Sequence, residues 1–186
     1  MINKTLETVY VDKHIELVAA CRKGNRQAQF ELYKLYAKAM YNVSLRIVND
    51  DDEAEDVLQE AFLDAFSRLE SFRAETTFGL WLKQIVINKS INQLRKRKAE
   101  FVSLDGIDIA DEVAHTEEDL QYQVNEIKEA VAQLPDGYRV VLTLYLFEGY
   151  DHEEISHILK ISENTSRSQY MRAKTKLNSL LEKKRA

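Results

Sequence analysis

Apolar residues of this chain recur at intervals of three and four positions, the spacing that places side chains on one face of an α-helix. The clearest run lies between Val57 and Leu69. One proline and five glycines among 186 residues interrupt this pattern at few points. Hydrophobic residues make up 45% of the chain, which is enough to form a packed core rather than a wholly disordered polymer. The sequence therefore predicts an all-α protein.

The helical pattern divides into two segments separated by an acidic stretch. Residues 99–120 lack convincing periodicity and contain Gly106, so they predict a flexible acidic linker. A helical domain is expected at residues 1–98, where it follows a loose arm of about ten residues, and a smaller helical domain is expected at residues 121–186. A chain of 186 residues is long enough for two small domains.

The stretch from Asp151 to Lys176, DHEEISHILKISENTSRSQYMRAKTK, is typical of a helix-turn-helix. Asp151 and Glu154 have the spacing of a capping box at the start of a first helix. Ser162 is expected to cap the second helix, which carries four basic residues. Such a helix can place its first side chains against base edges in the major groove while later cations hold phosphates. The pattern predicts a DNA-reading element.

Charge is distributed unevenly along a chain whose net charge is −5. Residues 50–60 are acidic, whereas residues 76–99 contain basic side chains and no acid. This alternation indicates two polyanion contacts and a different partner for the acidic surface. Cys21 stands alone, which excludes an internal disulfide and a multi-cysteine metal site. Without a signal peptide or a long apolar run, we expect a cytoplasmic protein that needs no metal or cofactor.

Two segments resemble domains of bacterial sigma factors. LPDGYRVVLTLYLFEGYDHEEISHILKISENTSRSQYMRAKTKL resembles their C-terminal DNA-binding domain, here residues 121–186. DDEAEDVLQEAFLDAFSRLESF followed by FGLWLKQIVINKSINQLRKRK resembles their core-binding and promoter-melting domain, here residues 1–98. With no further domain expected around them, the pair resembles the small extracytoplasmic-function (ECF) group. The resemblance implies a transcription initiation factor that binds core RNA polymerase, directs it to specific promoters and assists duplex opening.

The resemblance implies a polymerase-binding surface on the helix from Glu53 to Phe66. This helix would dock on the clamp helices of the largest polymerase subunit, with polar contacts from Asp56, Gln59 and Glu60. An acidic helix with an apolar stripe suits a basic protein partner. Considered alone, the helix is more consistent with a solvated acidic face over a core stripe.

The loop from Phe72 to Phe78 and the helix after it resemble the family's reader of the −10 element. The implied mechanism is capture of a flipped base of the non-template strand, which requires amide hydrogen bonding and cations along the backbone. The implied contacts are Lys83, Asn88, Lys89, Asn92, Arg95, Lys96 and Arg97. Asn92 stands where many family members have Asp. Trp81 is expected to pack in the core rather than to stack on a base.

In the C-terminal domain the family motif places a set of side chains toward the duplex −35 element. Arginine can form two hydrogen bonds with guanine, so Arg167 and Arg172 are the best candidates for base reading. Asn164 and Ser166 stand where the family commonly has Gly and Val. Ser166 is expected to face inward, with slightly looser helix packing as a result. The implied DNA contacts are Thr165, Arg167, Ser168, Met171, Arg172 and Lys174.

Other interpretations of the sequence remain open at this point. A stand-alone helix-turn-helix regulator would use residues 1–98 as a sensor or dimerisation unit. An enzyme is disfavoured because the chain has no Gly-rich phosphate loop and no histidines at metal-ligand spacing. Family members are often held inactive by an anti-sigma protein, and such a partner is possible here. The family's linker runs through polymerase channels that later carry RNA, but a solvated tether explains the composition of residues 99–120 equally well.

Overall fold

The computed structural model describes residues 12–102 and 119–185, with side chains described for residues 12–99 and 124–183. These ranges contain helices and no β-strand, which confirms the all-α prediction. The predicted N-terminal arm and residues 103–118 of the predicted linker lie outside the described residues. The helices are α1 (Ile15–Arg22), α2 (Arg26–Val48), α3 (Asp51–Ser67), α4 (Phe78–Val102), α5 (Asp119–Ala132), α6 (Asp136–Leu146), α7 (His152–Leu159) and α8 (Glu163–Arg185), with a 3-10 turn at Leu69–Ser71.

The backbone forms two compact units in its described parts. Within the described residues, unit 1 comprises residues 12–44 and Asp51–Lys89, and unit 2 comprises Leu45–Asp50 together with residues 90–102 and 119–185. Helices α2 and α4 each contribute residues to both units, so the units follow different boundaries from those assigned on the sequence. The domains predicted at 1–98 and 121–186, and the linker between them, stay predictions. None of the described helices is long and apolar enough to cross a membrane.

Unit 1 is organised around an aromatic cluster at the start of α4. Phe78 is fully buried, and its ring lies 5.4 Å from that of Tyr36 and 6.0 Å from that of Phe72, measured between centroids. The half-buried Trp81 packs against Phe72 at 5.2 Å, as the sequence predicted. Asp12 Oδ2 accepts a hydrogen bond of 2.6 Å from the backbone nitrogen of Phe78, which satisfies a free donor at the N-terminus of α4. These contacts fix where α4 begins.

The core of unit 2 forms where α8 packs against α5, α6 and α7. Its buried centre is apolar, and three further apolar or aromatic side chains on α8 cover it, as does Tyr138 on α6. This packing orients the exposed side of α8, because a helix with one buried stripe can present only its other face to a partner. The centre comprises Val131, Leu134, Leu142 and Ala173, and the covering side chains are Tyr138, Tyr170, Leu177 and Leu180.

A buried arginine stabilises the N-terminus of α6 through hydrogen bonds and an ion pair. The Arg139 guanidinium donates 2.8 Å to the carbonyl oxygen of Leu134 and 3.3 Å to that of Ile47, and it pairs with Asp136 at 2.5 Å. Burial lowers the pKa of Arg139, and the neighbouring carboxylate of Asp136 opposes that change. Three acceptors therefore offset part of the desolvation of this cation, while its buried Nε has no hydrogen-bond partner among the described residues.

Both predicted helix caps of the helix-turn-helix are present. Asp151 Oδ1 accepts 2.8 Å from the Glu154 nitrogen, and Glu154 Oε2 accepts 2.9 Å from the Asp151 nitrogen, so the capping box is complete. Ser162 Oγ accepts 3.0 Å from the Thr165 nitrogen and caps α8. Lys160 adopts a left-handed conformation (φ +57°) and turns the chain between the two helices.

Candidate polymerase and nucleic-acid interfaces

Helix α3 separates an acidic exposed face from an apolar buried one. Asp56, Gln59 and Glu60, the predicted polymerase contacts, are all exposed. The acids in the first turn of α3 suit the positive end of a helix dipole, and the Tyr41 hydroxyl donates 2.6 Å to Asp51 there. This hydrogen bond raises the pKa of Tyr41 to about 12. The buried row comprises Ala54, Val57, Leu58, Ala61, Phe62 and Ala65.

Leu63 extends the exposed face of α3 with an apolar side chain. Its side chain is 71% exposed, and it lies three residues after Glu60 and four after Gln59, the spacing of neighbours on a helix surface. Sequence reasoning assigned the polar residues of this face and omitted Leu63. The sequence carried a signal for Leu63, because this apolar residue falls outside the three-four row that starts at Val57 and that forms the buried face.

Helix α4 carries the predicted −10 contacts. Asn88 and Asn92 are exposed and lie one turn apart, so the structure brings the two predicted amides onto one helical face. Lys96 is exposed and Lys83 is half-buried. Arg95 Nη1 donates 3.4 Å to Asn92 Oδ1, which links an amide and a cation of the predicted set.

Lys89 is an α4 cation held by acids of α3. Its ammonium nitrogen lies 3.3 Å from Glu60 Oε2 and 3.4 Å from Asp64 Oδ2, and its side chain is 24% exposed. Asp64 also pairs with Arg68. A residue predicted to hold DNA is therefore paired with one predicted to hold polymerase, a connection that the sequence did not indicate.

Two more cations of the predicted −10 set, both in unit 2, also contact protein acceptors. Arg95 Nη2 donates 3.2 Å to the carbonyl oxygen of Leu159. Arg97 Nη2 donates 3.3 Å to the carbonyl oxygen of Val48 and lies 3.5 Å from Asp136 Oδ2. These groups would have to exchange protein oxygens for phosphate oxygens in order to bind DNA.

Helix α8 presents the predicted −35 contacts, all six of which are exposed. The Thr165 hydroxyl lies 2.8 Å from that of Ser162, and Arg167 pairs with Glu163 one turn earlier. The Lys174 ammonium lies 5.7 Å from the centre of the Tyr170 ring. Ser166 is fully buried, as predicted, and so is Ala173. The exposed face comprises Thr165, Arg167, Ser168, Met171, Arg172 and Lys174.

A groove of about 450 Å³ lies beside this face. It contains two cations one helical turn apart, together with hydroxyl groups and the exposed Met171. Cations and hydroxyls are the groups that contact phosphate and sugar in protein–DNA complexes. Tyr138 and Lys176 were absent from the predicted site, although Lys176 belongs to the basic run of α8. The groove is lined by Tyr138, Met171, Arg172, Thr175, Lys176 and Ser179. Within the described ranges no group of His, Cys, Asp or Glu is arranged to hold a metal ion.

Comparisons with known proteins identify two family matches. The model described as Sigma-70 region 2 matches residues 32–100, and the model described as Sigma-70, region 4 matches residues 125–177. The ECF RNA polymerase sigma factor SigM of Bacillus subtilis (strain 168) is 34% identical over 81% of this chain and 93% of its own length. The RNA polymerase sigma-H factor of Pseudomonas aeruginosa is 31% identical over 90% of this chain and 93% of its own.

A solved structure has a similar fold and a similar sequence. The sigma factor RpoE from Bartonella quintana, crystallised with the anti-sigma factor NepR, superposes with a TM-score of 0.60. The match covers 82% of this chain and 95% of that one at 26% identity.

Proposed function

Because this chain belongs to the ECF sigma factors of bacterial RNA polymerase, which direct the polymerase to promoters, we propose that α3, α4 and α8 carry its three contact surfaces. Helix α3 binds core polymerase, α4 holds the melted −10 strand, and α8 reads the duplex −35 element. The observation that carries this assignment is the distribution of exposed charge: α3 exposes acids, whereas α4 and α8 expose amides and cations.

The polymerase surface comprises Asp56, Gln59 and Glu60, with Leu63 as its apolar contact. The three polar side chains are exposed, whereas the core of unit 1 uses the buried row of α3 from Ala54 to Ala65, so binding at this face requires no rearrangement of the core. Protein interfaces combine an apolar centre with a polar rim. An exposed leucine beside acids fits the clamp helices, which the family resemblance implies as the partner.

The −10 surface combines amides with cations. Asn88 and Asn92 can donate and accept hydrogen bonds, so they suit the edge of a flipped base. Lys89, Lys96 and the neighbouring arginines supply the charges that hold the strand's phosphates. Polymerase binding brings this surface to the strand as the duplex opens.

The −35 surface uses the start of α8 for bases and its later residues for phosphates. Arg167 and Arg172 are exposed and can each form two hydrogen bonds with guanine. Thr165, Ser168 and Met171 contact the base edges beside them, and Lys174 holds the backbone. The groove residue Lys176, one turn after Arg172, adds a phosphate contact.

The test mixes the purified full chain with bacterial core polymerase and follows association by size-exclusion chromatography. The same mixture is then used to transcribe a genomic-fragment library. A complex that starts RNA at discrete sites supports the proposal and provides the promoter. If the chain binds DNA tightly alone and does not associate with polymerase at low salt, the stand-alone regulator takes its place.

The family also supports proposals about where the chain acts and what controls it. RpoE of Bartonella quintana was crystallised with an anti-sigma factor, and we propose a partner of that class for this chain. It would cover surfaces that polymerase needs. We further propose that the chain acts in the cytoplasm with the polymerase and has no catalytic activity of its own, because its role is binding and strand separation.

A further inference from the structure

A buried polar contact ties the first turn of α8 to the start of α7. The Ser166 side chain is fully buried, and its Oγ lies 2.9 Å from Nδ1 of His152. His152 is the first residue of α7 and directly follows the capping residue Asp151. The contact therefore joins the N-terminal ends of the two helices of the helix-turn-helix.

The His152 ring is itself held on two sides. It stacks on Tyr145 with centroids 4.7 Å apart and an interplanar angle of 20°, and the edge of Tyr170 approaches it at 5.6 Å. Tyr145 and Tyr170 also pack against each other at 4.5 Å. The capping box fixes the backbone on which His152 sits. The ring therefore presents Nδ1 to Ser166 with little rotational freedom.

The position of Ser166 in α8 gives this contact its importance. Its neighbours in the chain are Thr165 and Arg167, both proposed −35 contacts. Because successive residues of an α-helix are fixed about 100° apart, a rotation of this turn that moved Ser166 would also move both neighbours. A buried hydroxyl that lost His152 would need another hydrogen-bond partner, and the carbonyl of Ser162 in its own helix is the usual alternative for serine.

We propose that His152 is a positioning residue for −35 recognition. Through Ser166 it holds the first turn of α8 at the rotation that directs Thr165 and Arg167 toward the bases, without touching DNA itself. The apolar contact that valine would make at this position is replaced here by a directional hydrogen bond. This inference rests on the proposed role of α8.

Four variants separate the hydrogen bond from the ring and from general effects on α7. His152→Phe keeps an aromatic ring and removes the nitrogen. His152→Asn keeps a hydrogen-bonding group near the place of Nδ1 and removes the ring. Ser166→Ala removes the hydroxyl with a small loss of volume. His157→Phe is the matched control, because His157 is an exposed histidine of the same helix.

The experiment uses full-length chains with bacterial core polymerase. The wild-type chain first selects a promoter from genomic fragments. The −35 element of that promoter is then randomised while the remaining promoter sequence is kept. The RNA that each protein variant produces from this library is sequenced, which gives the base preference at each −35 position. His152→Phe and Ser166→Ala should each weaken the preference at one or two −35 positions by about 3- to 10-fold, a part of what one bidentate contact provides. The double variant that combines His152→Phe with Ser166→Ala should lose no more base preference than either single variant, because both changes remove the same hydrogen bond.

The controls decide between positioning and simple loss of stability. His152→Asn should keep most of the base preference, and His157→Phe should keep all of it. Additive losses in the double variant, or a lower melting temperature with unchanged relative base preferences, would overturn the inference. A wild-type chain that starts no RNA with core polymerase would instead remove the proposed function, and this inference with it.

Discussion

Replacement of Asp64 by asparagine tests whether acids of α3 compete with DNA for Lys89, a cation of the proposed −10 surface. In the structure the Lys89 ammonium lies 3.3 Å from Glu60 and 3.4 Å from Asp64. A phosphate must compete with these carboxylates for Lys89. Asp64→Asn removes one competitor and leaves the proposed polymerase contacts Asp56, Gln59 and Glu60 unchanged. We therefore expect the free chain to bind single-stranded DNA more tightly.

The expected gain in affinity for single-stranded DNA is small, and its size can be bounded from the strength of the ion pair. Ion pairs between solvent-exposed side chains stabilise by about 0.2–1 kcal/mol. The pair between Lys89 and Asp64 belongs near the middle of this range, because the two side chains are 24% and 34% exposed. A factor of ten in affinity corresponds to about 1.4 kcal/mol, so the dissociation constant should fall by about 2- to 5-fold. Added salt should shrink the gain as it screens the charges.

The assay is fluorescence anisotropy of a labelled single-stranded DNA carrying the non-template −10 sequence of the selected promoter. Asp64→Asn is compared in the wild-type and Lys89→Ala backgrounds at low salt. Glu70→Gln removes the same charge from an exposed position of the 3-10 turn and serves as the matched control. Because Asp64 also pairs with Arg68, the Lys89→Ala background decides which cation is responsible.

Two results would refute this reasoning. An equal gain from Glu70→Gln would mean that net charge alone governs the affinity. If Asp64→Asn still raised the DNA affinity in the Lys89→Ala background, the gain would come from Arg68 or from the overall electrostatic field of the protein. In either case the ion pair would have no part in DNA binding.

Three further predictions concern the other surfaces. Arg167→Ala should cost about 1–3 kcal/mol in promoter recognition and relax one upstream base preference, as measured by transcription from promoter variants, while polymerase binding stays unchanged. Replacement of Asp56 and Glu60 by lysine should abolish co-elution with core polymerase but leave the far-ultraviolet circular dichroism spectrum intact, since both side chains are exposed. Asp151→Ala should remove the capping box and destabilise the chain by about 1 kcal/mol in denaturant unfolding; an unchanged midpoint would show that the cap contributes nothing.

Much of the local structure could be predicted because it depends on residues close together in the chain. The capping box at Asp151, the cap at Ser162 and the buried row of α3 follow from spacing alone, and the structure contains all three. Helix ends were less predictable: the linker was expected to begin at residue 99, but α4 continues to Val102. That boundary was placed where a basic run of the sequence gives way to acidic residues, and a change of charge does not break a helix.

The contacts that could not be predicted join residues distant in sequence. Lys89 meets Glu60 across 29 positions, and Arg95 meets the carbonyl of Leu159 across 64. Charge patterning indicated that both cations meet a polyanion, and the family resemblance implied that they contact DNA, but neither carries information about which protein acceptor lies nearby. Ser166 was predicted to face inward from its helical position. Its partner His152 belongs to another helix, so only the packing of α7 on α8 reveals the hydrogen bond.

The engaged cations offer a reason why a chain with a net charge of −5 should depend on polymerase to bind DNA. Lys89, Arg95 and Arg97 each contact protein oxygens, so DNA must displace those oxygens as well as water. Each exchange is nearly balanced, because one oxygen acceptor replaces another. The −10 and −35 surfaces are therefore expected to be weak alone. In the proposed function, polymerase would favour DNA binding by engaging α3 and holding both surfaces near one DNA molecule, since two weak contacts made by one assembly gain from their high effective concentration.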